Sequence, residues 1–220
     1  MKTRNYILWL MLALAVAMPM SSLADSYYDR RVSLFDLLPI ESDDIVFLGN
    51  SITDGGEFHE LLGMPNVKNR GINSDVISGV GKRLHQVMDG KPRKVFLLIG
   101  INDVSHNLSV AALASEYEKL VKEMRRLSPE TEVYLQSVMP INNDFKRYKS
   151  LTGKEKVIVA FNAEIKTIAE KNGCVFIDLT SALADAKTGK LRREYTNDGL
   201  HLTGVGYKAW MEVVKPYLIK

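Results

Sequence analysis

Three residues in two distant segments could together carry out nucleophilic chemistry. Ser51 follows an apolar run in "IVFLGNSITDGG" (45–56), and Asp198 and His201 stand three residues apart in "TNDGLHLTGVGY" (196–207). A serine hydroxyl becomes an effective nucleophile when a base takes its proton, and that base needs an acid to fix its tautomer. The segments therefore offer a nucleophile, a base and an orienting acid. Each also has a plainer interpretation, because serine is a favoured helix N-cap and an Asp-x-x-His spacing often arises by chance.

Negative charge that develops on a reacting carbonyl needs hydrogen-bond donors, and two further segments could supply them. Asn102 lies in "LLIGINDVSHN" (97–107), where its side-chain amide could donate to an oxyanion. Gly71 lies in "NRGINSDV" (69–76), where the absence of a Cβ would let its N–H approach a ligand closely. Alternatively, Asn102 forms an Asx turn with Asp103 and Gly71 is a turn glycine. Asp103 itself is interpreted as a turn-stabilising residue.

The remaining histidines are not in comparable surroundings. His85 falls on a helical pattern, whereas His59 and His106 lie in polar segments typical of loops. We interpret all three as surface or packing residues.

Five short segments have the composition of β-strands, and helical patterns separate most of them. The candidate strands cover residues 44–50, 66–72, 94–100, 132–138 and 174–180. All but the second are rich in apolar residues without polar alternation, which is typical of strands buried on both faces. The pattern predicts a central parallel sheet of about five strands inside a three-layer α/β/α sandwich.

The sequence predicts two long helices between the later strands and a third helix after the last strand. Residues 109–130 place apolar side chains at three- and four-residue spacings and stop at Pro129, and residues 155–173 end at Asn172-Gly173. The last segment, from His201 onward, is a third helix with Thr203 as its N-cap. The carboxyl ends of all the strands should meet at one edge of the sheet, where ligands bind in open α/β folds.

Residues 139–155 and 25–40 lie outside these predicted strands and helices. The aperiodic stretch 139–155 follows a strand and is predicted to form a wall of the substrate site. Residues 25–40 are expected to be a surface lead-in to the domain.

The N-terminus resembles a targeting segment. Basic residues precede an apolar stretch at 6–17 that is too short to span a bilayer comfortably, and small residues follow at Ser22 and Ala24. The pattern predicts a signal peptide over residues 1–24 and a single domain over residues 25–220. An uncleaved anchor helix is the alternative, disfavoured because a proline interrupts the stretch before any stop-transfer charge. The residue directly after Ala24 is Asp25 and not a cysteine, so we expect no lipid attachment and no stable membrane anchor.

Charge and cysteine content narrow the class of protein. Loss of Lys2 and Arg4 with the signal peptide leaves 27 of the 29 basic residues against 26 acidic ones. A nearly neutral domain without basic runs argues against a nucleic-acid partner. The single cysteine, Cys174, excludes an intrachain disulfide and is expected to be a buried, inert thiol. Export without disulfides fits a bacterial periplasm or secretion.

Taken in order, the four segments "GNSIT", "NRGINS", "GIND" and "DGLH" resemble the four sequence blocks of the SGNH, or GDSL-type, esterase and lipase superfamily. The resemblance runs from about residue 44 to the C-terminus. It implies a flavodoxin-like fold and hydrolysis of esters or thioesters without a metal or other cofactor. It also implies Ser51 as nucleophile, His201 as base and Asp198 as the acid.

The resemblance further implies an oxyanion hole made by the backbone N–H groups of Ser51 and Gly71 and the side-chain amide of Asn102. The first block departs from the family pattern, because Asn50 stands where an aspartate is usual. The triad acid comes from the last block, so we expect catalysis to survive this change.

The expected function is that of an exported serine esterase acting on acyl esters, acetyl above all, of a small molecule or a glycan. The absence of a long apolar loop that could shelter a fatty acyl chain favours short acyl groups. A lysophospholipase or thioesterase of the same fold is the first alternative. A non-catalytic ligand-binding relative is the second, disfavoured because every residue of the proposed chemistry is present.

Overall fold

The computed structural model describes residues 26–218. Its sheet has five parallel strands in the order β2-β1-β3-β4-β5. The strands are β1 (Ile45–Gly49), β2 (Val67–Gly71), β3 (Lys94–Leu98), β4 (Glu132–Gln136) and β5 (Val175–Ile177). All five predicted strands are thus confirmed, including the weakly apolar second one. That strand lies at a sheet edge, where partial exposure tolerates Lys68 and Asn69.

Helices cover both faces of this sheet, which makes the α/β/α sandwich that the sequence predicted. They are α1 (Tyr27–Asp36), α2 (Ser51–Asp54), α3 (Phe58–Leu62), α4 (Ile77–Lys82), α5 (His85–Met88), α6 (Ile101–Ser105), α7 (Val110–Leu127), α8 (Glu155–Lys171), α9 (Thr180–Leu183) and α10 (Gly204–Val214). Helix α7 packs against α4 and α8, whereas α10 packs against α3 and α9. Within the described residues, no helix is long and apolar enough to cross a membrane.

The helix ends follow from the residues that the sequence offers there. Ser109 caps α7 by accepting the Ala112 N–H, and Thr203 caps α10 by accepting the Gly206 N–H. Helix α8 ends where Gly173 takes a left-handed conformation, at a φ of 64°. These three helix ends are therefore set by local sequence.

Aromatic packing holds the α10 face of the sheet together. Phe47, Phe96 and Tyr134 occupy matching positions on three adjacent strands, and their rings stack at centroid distances of 5.1 and 4.5 Å. Phe58 of α3 stacks on Phe47 at 4.1 Å, and Trp210 of α10 meets Phe47 edge-on at 6.1 Å. Such pairs add to the free energy gained from burying the rings. This cluster fixes α10, and the segment before it, relative to β1.

The N-terminal lead-in, which was expected at the surface, forms a mostly exposed helix. Helix α1 begins at the Ser26 cap and buries Phe35. Its Tyr27 hydroxyl donates to Asp54 Oδ2 at 2.7 Å, and Arg31 lies 3.5 Å from the same carboxylate. The sequence prediction for residues 25–40 was incomplete because these contacts are made with α2, far along the chain.

The strand order places a crevice above β1 and β3. Strand β1 leads to β2 on one side, whereas the later strands follow on the other side beyond β3. Ligands bind at such a reversal of strand order in open α/β sheets. The helices that follow β1 and β3, namely α2 and α6, carry Ser51 and Asn102 in their first turns.

Candidate active site

Ser51 is the first residue of α2, directly beyond the end of β1. The side chain of Asn50 caps the helix by accepting the Ile52 N–H at 3.1 Å. The Tyr207 hydroxyl of α10 donates to the Ile52 carbonyl at 2.8 Å and so links the two helices. The predicted turn from strand to helix is thus observed, with the serine partly exposed at the carboxyl edge of the sheet.

His201 and Asp198 complete a hydrogen-bonded series with this serine. Ser51 Oγ lies 2.9 Å from His201 Nε2, and His201 Nδ1 lies 2.8 Å from Asp198 Oδ2. All three side chains come together although 150 residues separate the serine from the histidine. This is the geometry in which an imidazole takes a proton from a serine hydroxyl while a carboxylate orients the imidazole.

The surroundings of Asp198 keep it ionised. Its Oδ1 accepts the backbone N–H groups of Leu200 and His201, each at 2.8 Å. Burial alone would raise the pKa of Asp198, but hydrogen bonds from the His201 ring, these two N–H groups and the Tyr148 hydroxyl together lower it to about 2. The acid of the series is therefore a carboxylate at any pH where an esterase would work.

Tyr148 is a neighbour of this pair that the sequence analysis did not identify. Its hydroxyl donates to Asp198 Oδ2 at 2.9 Å and lies 3.0 Å from His201 Nδ1. It belongs to the predicted wall at 139–155, which the structure brings beside Asp198 and His201. An aromatic residue in an aperiodic loop after a strand was the only signal in the sequence.

Asn102 lies in the first turn of α6, and one hydrogen of its amide is already committed. Asn102 Nδ2 donates to the Asp75 carbonyl at 2.8 Å, which fixes the amide and leaves its second hydrogen available. The preceding Gly100 has a φ of 124°, and a Cβ there would lie 2.6 Å from the Phe161 ring. Only glycine tolerates both this φ and the close approach of the Phe161 ring. Gly100 therefore allows the turn that leads into α6 and positions Asn102.

Gly71 does not present its N–H in the way the sequence suggested. That N–H donates to Asn69 Oδ1 at 2.7 Å. A Cβ on Gly71 would lie 2.1 Å from the backbone nitrogen of Asp54, in the helix that carries Ser51. The prediction that the Gly71 N–H donates to an oxyanion is therefore corrected, because this N–H already donates to a side chain of the protein. Glycine is required there because β2 and α2 pack backbone to backbone.

Asp103 stabilises a helix other than its own. Both of its carboxylate oxygens lie 3.2 Å from the Ile77 nitrogen and accept that N–H at the start of α4. Burial raises the pKa of Asp103 to about 6, although the Ile77 hydrogen bond opposes the shift. The sequence interpretation as a structural residue agrees with these contacts, although the stabilised element is distant.

The three other histidines and the single cysteine lie outside the site. His59, His85 and His106 are exposed, and the first two lie next to Glu60 and Asp36 respectively. Cys174 is half-buried rather than fully buried, and desolvation raises the pKa of its thiol. Residues 26–218 contain no group of three or more His, Cys, Asp or Glu side chains arranged to hold a metal ion.

Comparison with known proteins identifies the family. The model of the GDSL-like lipase/acylhydrolase family matches residues 47–209, and the chain belongs to that family. Fold and family together define an enzyme that hydrolyses esters. A search of curated proteins gave no match.

Several solved structures share the fold. A protein proposed to be a platelet activating factor from Streptococcus pneumonia superimposes with a TM-score of 0.80, at 28% identity, over 87% of this chain and 92% of that one. A GDSL-like lipase from Bacteroides thetaiotaomicron gives a TM-score of 0.73 at 25% identity, covering 87% and 96%. An acetylxylan esterase from Geobacillus stearothermophilus gives 0.67 at 19% identity, covering 83% and 97%.

Proposed function

We propose that this enzyme is an exported serine esterase that removes short acyl groups, acetyl above all, from carbohydrate esters. The observation that carries the proposal is the continuous series from Ser51 Oγ through the His201 ring to Asp198, with distances of 2.9 and 2.8 Å. An acetylxylan esterase of the same fold is described with catalytic mutants in which a serine and a histidine are replaced by alanine.

The reaction follows from the order of donor and acceptor atoms in this series. His201 Nε2 takes the proton of Ser51 as Oγ attacks the acyl carbonyl, and Asp198 stabilises the imidazolium that forms. The free hydrogen of the Asn102 amide and the Ser51 N–H hold the oxyanion. The tetrahedral species expels the alcohol, which takes its proton from His201. Water then attacks the acyl-enzyme by the same route and releases the acid.

A groove lined mainly by polar and charged residues lies near the loop of Asp198, although Ser51, Asp198 and His201 do not line it, and it favours a hydroxylated leaving group. The groove has a volume of about 420 Å³, and its lining includes Asp144, Thr188, Lys190 and Glu194. It adjoins the loop of Asp198, because the Asn142 N–H at its wall donates to the Gly199 carbonyl at 2.8 Å. Hydrogen-bonding side chains of this kind suit a sugar better than an acyl tail.

A series of p-nitrophenyl esters tests the acyl preference. The value of kcat/KM should fall from acetate through butyrate to octanoate, and acetate should be released from acetylated xylo-oligosaccharides. A preference for octanoate would support the lysophospholipase or thioesterase alternative. An enzyme that turns over none of these esters would contradict the proposal and favour a binding function.

Export is the second part of this proposal, and it rests on residues 1–24, which lie outside the described residues. If a signal peptidase cleaves after Ala24, the exported protein begins at Asp25. N-terminal sequencing of protein recovered from a bacterial periplasm or medium checks this. A secreted form that retains Met1 would contradict it.

A further inference from the structure

Tyr148 lies where one hydroxyl group contacts both His201, the proposed base, and Asp198, the carboxylate that orients it. The residue stands between two short 3-10 turns, Asn143–Phe145 and Lys149–Leu151. Its oxygen is 2.9 Å from Asp198 Oδ2 and 3.0 Å from His201 Nδ1. The three atoms form a nearly equilateral triangle, since the third side is 2.8 Å.

The loop that carries Tyr148 is fastened on several sides. Asn142 donates its N–H to the Gly199 carbonyl and its side-chain amide to the Leu191 carbonyl, both at 2.8 Å. Asn143 donates to Glu155 Oε1 at 2.6 Å. One of these bonds ends on the segment of Asp198 and His201 itself. The position of the Tyr148 hydroxyl is therefore fixed relative to both residues.

The proton count assigns a direction to each bond. A phenol has one proton, and its stronger acceptor is the Asp198 carboxylate. The Tyr148 oxygen then turns a lone pair toward His201 Nδ1, which must carry a proton to bond to either neighbour. A proton on Nδ1 leaves Nε2 unprotonated, and Nε2 is the nitrogen that faces Ser51.

The phenol keeps its proton throughout this arrangement. Burial and then the Asp198 hydrogen bond raise the pKa of Tyr148 to about 12. It is consequently a neutral donor to the carboxylate at working pH and does not compete with His201 as a base.

We propose that Tyr148 is a positioning residue, which holds the Asp198 carboxylate and the reactive tautomer of His201 through a single hydroxyl. The inference rests on the proposed function, because it concerns the activation of Ser51. It implies that the loop at 139–155 supports catalysis as well as bordering the substrate site.

The test compares Tyr148→Phe with Tyr134→Phe. Tyr134 is a matched control, because its hydroxyl also donates to a carboxylate, Glu132 Oε2 at 2.6 Å, but near the start of β4, away from the site. Both variants keep the ring and lose one hydroxyl. Thermal unfolding of each variant shows whether the fold is retained.

Two rates are measured on each variant. We expect Tyr148→Phe to lower kcat on p-nitrophenyl acetate by about tenfold with little change in KM, because a hydrogen bond to a charged group is lost. The rate of Ser51 phosphonylation by a fluorophosphonate should fall by a similar factor, since that reaction needs an activated serine but no sugar contact. Tyr134→Phe should leave both rates unchanged.

Each outcome has a distinct meaning. Unchanged rates in Tyr148→Phe, with an active wild type, would overturn the positioning role alone. A rise in KM with unchanged kcat and phosphonylation would also overturn it and make Tyr148 a substrate contact. A wild type that fails to react with the fluorophosphonate would instead overturn the proposed function.

Discussion

At the scale of single residues, two asparagines near the nucleophile have different tasks. Asn50 is buried and caps α2 through its side-chain oxygen. Asn102 directs one amide hydrogen to Asp75 and has the other available for an oxyanion. The first asparagine supports structure, and the second is proposed to act only as negative charge develops.

This difference predicts contrasting kinetics. Asn102→Ala should lower kcat by about 10²–10³ with KM nearly unchanged, because the lost hydrogen bond strengthens only in the transition state. Asn50→Asp should keep activity within about tenfold, since a carboxylate oxygen can still accept the Ile52 N–H and one added charge shifts the pKa of a nearby base by only about a unit. Steady-state kinetics and circular dichroism on both variants provide the check. If Asn102→Ala kept full activity while Asn50→Asp lost it, both the oxyanion role of Asn102 and the structural role of Asn50 would be contradicted.

The residues also show what a sequence can and cannot reveal about a site. Ser51, Asp198 and His201 were predicted from four segments taken together and in order, and the structure brings their side chains within hydrogen-bonding distance of one another. The prediction for Gly71 failed, because a glycine in the sequence shows only that a Cβ is absent and not where the N–H points. Tyr148 was missed because its role depends on a loop conformation that no periodicity encodes.

At the scale of elements, Arg83 joins the ends of two strands to the turn that orients Asn102. This residue is 2% exposed and lies 2.7 Å from the equally buried Asp75. It also donates to the carbonyl groups of Arg70 and Gly49, at 3.0 Å each. Burial raises the pKa of Asp75, and Arg83 opposes that shift.

Removal of this guanidinium should therefore destabilise the fold. We expect Arg83→Leu to lower the free energy of unfolding by about 3–5 kcal/mol, because it leaves the Asp75 charge buried and unpaired. The double variant Asp75→Asn with Arg83→Leu should recover part of that loss, since neither charge of this pair remains. Urea unfolding measures both. Equal stability of the single and double variants would show that the ion pair is not the cause.

The elements themselves were largely predictable, for physical reasons. Strands buried on both faces and long amphipathic helices have strong periodic signals, so β1, β3, α7 and α8 were found within a few residues. Helix α1 was not recognised, because its stability depends on contacts with Asp54 and on the burial of Phe35 rather than on a long apolar stripe.

At the scale of the whole molecule, Asp103 links stability to pH. It is 6% exposed, and burial raises its pKa to about 6 from an ordinary value near 4. The folded state therefore holds this proton more tightly than the unfolded chain. The resulting destabilisation is absent below about pH 4, grows as pH rises toward 6, and is constant above it.

A comparison of the stability of Asp103→Asn with that of the wild type, as a function of pH, should reveal this contribution. The variant can still accept the Ile77 N–H but carries no charge, so its stability relative to wild type should increase between pH 4 and pH 7. Trp210 reports unfolding cleanly in a chain without residues 1–24, because it is then the single tryptophan and is fully buried. A stability difference that does not change with pH would contradict the assignment.

The central claim is that Ser51 is the nucleophile of this enzyme, and mass spectrometry of fluorophosphonate-treated protein tests it most directly. We predict one adduct per chain, on the peptide that contains Ser51. The adduct should be absent in Ser51→Ala and retained in the control Ser33→Ala, which alters an exposed serine of α1 whose hydroxyl donates to the Arg30 carbonyl. An adduct that persists in Ser51→Ala, or that maps to another residue of the wild type, would contradict the claim.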